Sequence, residues 1–252
     1  MKLFKTVWIV IFGLLFNMTN AQDLDEILNS HYESINQEAL SEVQNMHITG
    51  KSGRMGQEFD FQIWKQRPGI FRMEVDVQGQ KMIQLYDGEK AYMVAPWTGT
   101  KEPQELGETQ TDQMEDQADM DGDLWNWKEK GSTLTYEGTE DFEGSEVYIL
   151  KLIKDNNDII KYYLETDSYL PIKTTSKIQM QGSEVEMEIF MSNYKEVNNM
   201  VMPYYVETRM GGEIVSSVTI ETIEVDVEMP KDIFIKPVAE ESKSETPEAE
   251  KK

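Results

Sequence analysis

The sequence predicts a mainly β protein in which a strongly curved antiparallel sheet has one apolar face. The first observation is the segment Trp64–Trp97, which contains three or four amphipathic strands joined by short turns. The second is a further series of short strands, separated by turn signals, between Thr133 and Val227. The third is a single amphipathic helix that precedes all of them. About ten strands at this spacing predict a barrel or a sandwich, with the helix lying across one sheet face.

The helix is predicted over Asp23–Leu40. Apolar side chains recur there at helical spacing, and acids and amides occupy the opposite face. Asp23 is a suitable N-cap, because its carboxylate can accept a bond from a free backbone N–H of the first turn. We interpret His31 as a packed residue of the apolar face rather than as a ligand. That face carries Leu24, Ile27, Leu28, His31 and Ile35.

The first group of strands shows the alternation of apolar and polar residues that is typical of half-buried strands. A period of two begins near Val43 and is clearest in Phe59–Ile63 and in Phe71–Val77. Asp87 and Gly88 separate two short apolar segments, which is a strong hairpin-turn signal. The pattern therefore predicts consecutive antiparallel strands in this part of the chain.

The alternation lapses between Ala95 and Gly122, where Gly, Gln, Thr and acidic residues predominate. A segment of this length inside a compact domain is usually a functional loop, a lid or a disordered stretch. Its second half, Thr111–Lys128, is predicted to form a short helix. The apolar residues of that helix are Met114, Met120, Leu124 and Trp127.

The second group of strands is punctuated by turn residues such as Gly211-Gly212. In its last strand, Ile220 and Ile223 fall on opposite parities, and this phase slip predicts a bulge or a strong bend. The predicted strands are Thr133–Tyr136, Tyr148–Ile153, Ile159–Glu165, Ile172–Met180, Val185–Met191, Tyr204–Met210 and Ile214–Val227.

The ends of the chain suggest export. Lys2 and Lys5, the apolar stretch Val7–Phe16 and a cleavage site after Ala21 predict a secretory signal peptide over residues 1–21. An uncleaved membrane anchor is the alternative, but the apolar stretch is too short to cross a bilayer. We expect one domain over residues 22–239 and a disordered acidic tail over residues 240–252. The expected location is the periplasm.

Composition excludes several classes of function. The chain has no cysteine, which excludes a lipid anchor on an N-terminal cysteine, disulfides and zinc–thiolate sites. Its net charge of −23 opposes binding to nucleic acid and to anionic membranes. The charge suits solubility, and docking to a basic partner is the alternative that we leave open. We expect a monomer.

No catalytic or metal motif is complete. Gly50-Lys51-Ser52 ends like a phosphate loop but lacks the first glycine. Asp119, Asp121 and Asp123 have the spacing of a calcium loop, yet the required Gly and the final Glu are replaced by Leu124 and Lys130. We therefore predict no catalytic residue, no metal site and no cofactor. A hydrolase with a paired-carboxylate mechanism is the least favoured interpretation.

Methionine is abundant, with 16 residues in the chain. Several lie on the apolar parity of predicted strands, including Met73, Met93, Met187 and Met191. Thioether side chains adapt to irregular apolar shapes. The sequence leaves open whether they fill an ordinary core or line a cavity for flexible acyl chains.

The strands of Trp64–Trp97 resemble a known family. The matching residues are Trp64, Gln66, Arg67, Pro68, Phe71, Tyr86, Asp87, Gly88, Tyr92 and Pro96. They are similar to the tryptophan and Arg-Pro strand, and to the Asp-Gly hairpin, of the periplasmic lipoprotein carriers (LolA/LolB-like), in particular of the outer-membrane lipoprotein-sorting branch. Weaker similarities lie at Ala118–Trp127, Tyr136–Gly138, Phe142–Gly144 and Asp232–Phe234 with Pro237. Gln66 stands where the family usually has a basic residue.

The resemblance implies an unclosed, strongly curved antiparallel β-barrel of about ten or eleven strands. An N-terminal helix and a mid-chain lid segment would cover its mouth. It implies that Arg67 binds the covering helices and keeps the lid closed. We expect the cavity, or lipid-binding, residues to be Trp64, Phe71, Met73, Val75, Met93, Met187, Ile189 and Met191.

The function implied is that of a non-enzymatic carrier of lipoprotein acyl chains or other lipids toward the outer membrane. Its partners would be the cargo, an inner-membrane donor and an outer-membrane acceptor. The alternative is a regulatory protein of the same fold that senses lipid or peptide and signals to a membrane partner.

Overall fold

A computed structural model describes residues 23–54, 56–98, 102–180 and 182–236. The predicted signal peptide and the predicted tail lie outside these ranges. The helices within them are α1 (residues 23–35), α2 (Gln37–Glu42) and α3 (Glu108–Ala118), with a 3-10 turn at Pro96–Thr98. The strands are β1 (Asn45–Arg54), β2 (Gln57–Gln66), β3 (Ile70–Val77), β4 (Gln80–Tyr86), β5 (Ala91–Val94), β6 (Gln104–Glu105), β7 (Thr133–Phe142), β8 (Ser145–Ile153), β9 (Ile159–Glu165), β10 (Pro171–Met180), β11 (Ser183–Val197), β12 (Met200–Met210) and β13 (Glu213–Val225).

The strands of the described ranges form one antiparallel sheet of thirteen, in the order β6-β5-β4-β3-β2-β1-β13-β12-β11-β10-β9-β8-β7. β6 and β7 are its two free edges, so the barrel is open. The chain between these edges, which includes α3, joins one side of the opening to the other. This confirms the prediction of an unclosed antiparallel barrel. The predicted number of strands was too low, partly because the two residues of β6 are too few to show any alternation.

Cross-strand register gives the sheet one continuous apolar face, which we call the inner face. Side chains of directly paired residues point to the same side of a sheet. Phe61 pairs with Val75, and Ile63 pairs with Met73. On the other side of β2, Ile63 pairs with Ile48. The inner face therefore extends across β1, β2 and β3 without a polar interruption at these positions.

The predicted bulge in the last strand is confirmed. Thr49 of β1 pairs with Thr222, whereas the next residue, Gly50, pairs with Ile220. Glu221 is therefore the extra residue, which brings both Ile220 and Ile223 to the inner face. Glycine is required opposite the bulge, because a Cβ at Gly50 would lie 2.2 Å from the carbonyl oxygen of Thr219.

The three helices pack on the inner face at different places. Leu24, Ile27 and Leu28 of α1 contact buried leucines of β7, β8 and β9. Leu40 of α2 packs in a cluster that includes residues of β1, β2, β3, β12 and β13. Met114 of α3 is buried beside Phe71 of β3. The helices therefore cover the mouth of the barrel and bury apolar side chains between the sheet and themselves.

Two helix predictions need correction. The predicted helix Asp23–Leu40 is broken at Asn36, whose φ of 53° lies in the left-handed region. Asparagine tolerates this region better than most residues do, and its side-chain amide bonds the carbonyl of Asn199 at 2.9 Å. The predicted helix Thr111–Lys128 is instead Glu108–Ala118. Among the described residues, no helix is long and apolar enough to cross a membrane.

Candidate functional site

The apolar residues expected to line a cavity divide into two groups. The first group lies on β3 and β5. Phe71 and Met73 pack beneath α3, and Val75 belongs to the cluster beneath α2. Met93 shares their face, because Gln84 pairs with both Met73 and Met93. This half of the inner face is filled by the protein's own helices.

The second group lies on β11 and is less covered. Met187, Ile189 and Met191 are half-buried, and they pair with Met210, Thr208 and Val206 of β12. Val206 in turn pairs with Val218 of β13, which packs against the core cluster beneath α2. The two groups therefore share the inner face but lie on opposite sides of β1 and β13.

Trp64 does not join either group. It pairs with Arg72, on the parity opposite to that of Phe71 and Met73, and therefore lies on the outer face. There its indole stacks on the imidazole of His47, with 5.0 Å between ring centroids. The parity of β2 explains this position, because Ile63 points inward and its neighbour must point outward. Trp64 accordingly does not belong to the set that could contact a ligand inside the barrel.

A mainly apolar cavity of about 290 Å³ lies between the helices and strands β11 and β12, and Met191 is the member of the second group that lines it. Met191, Met202 and Pro203 contribute from β11 and β12, and His31 and Leu40 contribute from α1 and α2. The remaining lining residues are Ile35, Gln37, Asp121, Gly122, Asp123, Leu124, Tyr162, Pro171, Tyr194 and Val201. The cavity thus has sheet residues on one side and helix residues on another, with residues 121–124 completing its wall.

Arg67 joins the sheet to two covering elements. Its Nε donates to the carbonyl of Val43 at 2.7 Å, and one terminal nitrogen donates to the carbonyl of Leu40 at 3.1 Å. Both terminal nitrogens donate to the carboxylate of Asp121 at 2.7 Å, which is a bidentate ion pair. The hydrogen bond to Asp121 raises the pKa of Arg67 above its ordinary value. One side chain therefore binds both the end of α2 and the segment after α3.

We call Asp119–Leu124 the clamp segment, because its alternate acids bind different elements. The carboxylate of Asp119 accepts a bond from Lys130 at 2.6 Å. Asp121 pairs with Arg67, as described above. Asp123 accepts a bond from the hydroxyl of Tyr162 at 3.1 Å and lies 3.5 Å from the ammonium of Lys154. Burial and the nearby Asp123 carboxylate raise the pKa of Tyr162 well above its usual value, so its hydroxyl keeps its proton.

The backbone of the clamp segment is held as well. The hydroxyl of Tyr32 on α1 donates to the carbonyl of Leu124 at 2.5 Å. The ammonium of Lys65 on β2 lies 3.3 Å from the carbonyl of Asp119. Burial beneath the segment lowers the pKa of Lys65 to about 8. The segment is thus fixed to α1 and to β2 by polar contacts, and its Met120 and Leu124 are buried in the apolar clusters beneath α2 and α1.

A second, larger cavity of about 730 Å³ opens near the clamp segment and is strongly acidic. Its lining includes Asp87, Asp112, Glu115, Asp116, Asp119, Asp123 and Asp155, together with Lys130 and Lys154. Within the described ranges, no group of three or more histidine or acidic side chains is arranged to hold a metal ion. The cavity beside the clamp segment therefore presents a negative surface.

Sequence reasoning missed the partner of Arg67. The spacing of Asp119, Asp121 and Asp123 suggests a calcium loop, and Ala118–Trp127 resembles part of the carrier family, but neither pattern identifies a carboxylate partner for Arg67. In the structure, each of these carboxylates binds a cation or a hydroxyl from a different part of the chain. The sequence did contain a signal for this arrangement. Acidic residues alternate in a segment predicted to be a lid, and the Arg-Pro strand elsewhere in the chain carries an arginine that could pair with one of them. Gln37 was also missed, because a glutamine in a helix pattern is ordinarily exposed.

Several solved structures superpose on this architecture. A LolA superfamily protein from Nitrosomonas europaea superposes with a TM-score of 0.57 and 13% identity, over 84% of this chain and 97% of that chain. A putative outer membrane lipoprotein-sorting protein domain from Vibrio parahaemolyticus superposes with a TM-score of 0.55 and 11% identity, over 82% of this chain and 96% of that chain. A DUF1329 family protein from Desulfovibrio piger superposes with a TM-score of 0.55 and 13% identity, over 82% of this chain and 95% of that chain.

The open barrel with covering helices is therefore a LolA-like fold, and the resemblance seen in the sequence is confirmed for the fold. No protein-family model and no curated protein matches the sequence. At 11% to 13% identity the likeness concerns the fold alone, so the function must be argued from the site.

Proposed function

We propose that this protein is a non-enzymatic carrier that binds acyl chains of lipoproteins or other lipids on its inner face. The observation that supports this most is the contrast between cavity and cover. The cavity beside Met191 is mainly apolar, whereas the carboxylates of the clamp segment, which forms part of its wall, are held by ion pairs and hydrogen bonds in addition to the buried side chains of Met120 and Leu124. Polar contacts can exchange with water when the cover opens, while the apolar wall favours a hydrocarbon ligand.

The energetic argument needs no catalytic group. Each buried methylene contributes roughly 0.8 kcal/mol, so a chain of about 16 carbons resists crossing water by on the order of 12 kcal/mol. A protein cavity removes that barrier by replacing water with apolar side chains. The flexible methionines Met191 and Met202 on one side of the cavity can adapt to chains of different shape.

We further propose that the protein works in the periplasm between an inner-membrane donor and an outer-membrane acceptor. The signal-like sequence over residues 1–21 supports export. The acidic cavity beside the lid supports docking to partners with basic surfaces, because opposite charges steer association. Arg67 is proposed to keep the lid closed until such a partner is engaged.

The direct test is lipid binding and transfer. Protein isolated from the periplasm under native conditions should yield co-purifying lipid by mass spectrometry. Delipidated protein should accelerate movement of a labelled diacyl lipid between donor and acceptor vesicles. Lipid binding without transfer would favour the regulatory alternative. Absence of both binding and transfer would overturn the proposal.

A matched pair of variants separates the cavity from the surface. Met191→Lys places a charge in the apolar cavity and should abolish lipid binding, because a hydrocarbon chain that fills the cavity would strip water from the ammonium. Ile214→Lys adds the same charge at a side chain that is 60% exposed and should bind lipid like the parent. Circular dichroism should show unchanged strand content in both. Equal lipid binding by both variants would show that this cavity is not the lipid site.

A further inference from the structure

Gln37 is the most unusual residue of the apolar cavity. It is the first residue of α2, it lines the cavity, and only 2% of its surface is exposed. Among the described residues, its Nε2 is the one buried side-chain nitrogen or oxygen without a hydrogen-bond partner. Buried polar groups in native proteins are almost always paired, because an unpaired donor loses its bonds to water and gains nothing.

None of the described residues accepts a hydrogen bond from Gln37 Nε2. His31, across the cavity, bonds the carbonyl of Tyr169 through Nδ1 at 2.9 Å. Because that carbonyl can only accept, Nδ1 carries the proton. Asn36 donates a hydrogen bond from its side-chain amide nitrogen to the backbone carbonyl of Asn199 at 2.9 Å. Arg67 cannot be the partner, because a guanidinium has no acceptor atom, and its donors go to Asp121 and to two backbone carbonyls.

The position of the amide follows from the break in the helix. Asn36 in the left-handed region separates α1 from α2, so Gln37 does not continue the face of α1. The first residue of the new helix is instead buried between Ile35 and Leu40 of the cavity wall. A methionine or leucine there would bury the same volume without an unpaired donor. The amide is therefore poorly suited to a purely structural role.

We propose that, when a lipid enters this cavity, the Gln37 side chain turns toward it and Nε2 donates a hydrogen bond to the acyl carbonyl, so that this cavity is a subsite for the linkage end of an acyl chain. The proposal rests on the proposed lipid-binding function and extends it. A neutral carbonyl fits better than a carboxylate or phosphate, because the charged side chains of the cavity wall are Asp121 and Asp123. Those carboxylates repel an anion, and the nearby Arg67 is already neutralised.

The test compares ligands that differ only in the carbonyl. Delipidated protein is titrated with a long-chain fatty acyl methyl ester, with the N-methylamide of the same chain, and with the n-alkane of equal length. The parent should bind the ester, the amide or both about five- to tenfold more tightly than the alkane. The tighter of the two identifies the linkage. Gln37→Met should lose this preference and bind the alkane as the parent does.

Gln113→Met is the control, because Gln113 is an exposed glutamine on α3, and it should keep the preference. An infrared spectrum of the isotope-labelled ester carbonyl gives a second readout, with a lowered stretching frequency in the parent and in Gln113→Met but not in Gln37→Met. Equal parent affinities for ester, amide and alkane would overturn the inference and leave the carrier function standing. An equal loss of affinity for all three ligands in Gln37→Met would also overturn the inference, because it would show that Gln37 has a structural role. No binding of any ligand by the parent would overturn the carrier function itself.

Discussion

Replacement of Arg67 by leucine should open the lid without unfolding the sheet. Leucine keeps apolar bulk and removes all four donated bonds, two to Asp121 and one each to Leu40 and Val43. It leaves a carboxylate and two carbonyls without their cationic partner. The sheet itself should remain, because its strands are joined by backbone bonds that this side chain does not make.

The expected loss of free energy depends on how exposed the ion pair between Arg67 and Asp121 is. Breaking a fully buried ion pair costs about 3–5 kcal/mol, whereas exposed pairs contribute about 1 kcal/mol or less. The side chains of Arg67 and Asp121 are 23% and 16% exposed, so water can solvate part of what is left. We therefore expect closure of the clamp segment to weaken by about 2–4 kcal/mol. A loss of that size would raise the ratio of open to closed molecules by roughly 30- to 900-fold.

The assay is binding of a fluorescent apolar probe to the delipidated protein. Arg67→Leu should bind more probe than the parent, and its rate of lipid transfer should fall. Asp121→Leu combined with Arg67→Leu should be less destabilised than Arg67→Leu alone, because no unpaired carboxylate remains. Arg67→Lys should resemble the leucine variant more than the parent, because an ammonium cannot form the bidentate pair. Parental probe binding and transfer in Arg67→Leu would refute the assignment of Arg67 to the lid.

Three further predictions concern stability and processing. Lys65→Met should raise the free energy of unfolding by up to about 3 kcal/mol at pH 7, because burial lowers the pKa of Lys65 to about 8 in the folded state. The gain should shrink as pH rises from 8 toward the unfolded value near 10.5, since the folded parent then sheds its proton. A gain that is independent of pH in denaturant titrations would contradict the burial argument. Gly50→Ala should lower the midpoint of denaturation strongly, because its Cβ would lie 2.2 Å from the Thr219 carbonyl oxygen, and a parental midpoint would show that the bulge relaxes freely. Intact-mass measurement of the exported protein should show a chain that begins at Gln22 without added acyl groups, and a full-length product in the membrane fraction would contradict export.

The strands were predictable because their signal is local. Alternation in Phe59–Ile63 and Phe71–Val77 reports directly which residues are buried, and the phase slip between Ile220 and Ile223 located the bulge. The same rule assigns Trp64 to the outer face, since it follows Ile63. The prediction of Trp64 as a cavity residue follows instead from the resemblance of its strand to the carrier family, and the register of β2 and β3 does not support it. Trp64 is indeed buried, but on the outer face beside His47.

The lid contacts could not be derived from local patterns. Arg67 and Asp121 are separated by 54 positions in the chain, and nothing in their spacing predicts that they meet. The resemblance to lipoprotein carriers indicated covering helices for Arg67 but gave no partner in the clamp segment. The break at Asn36 was hidden for a related reason, since an amphipathic pattern continues through it. The bond from Asn36 to Asn199, which accompanies the left-handed turn, joins residues 163 positions apart.

The free energy that Arg67 contributes to closure can be compared with the free energy gained when the hydrocarbon of a ligand is buried. If closure through Arg67 contributes about 2–4 kcal/mol, burial of roughly three to five methylenes offsets it, at about 0.8 kcal/mol each. A diacyl lipid has many more methylenes than that, whereas a short apolar metabolite does not. In the proposed carrier, the clamp segment would set a threshold on chain length, because only a ligand with enough hydrocarbon to exceed the cost could hold it open. Asp121 both pairs with Arg67 and lines the cavity, so a chain that enters beside Met191 would contact the same carboxylate that closes the clamp segment. We therefore expect binding and opening to be coupled through Asp121.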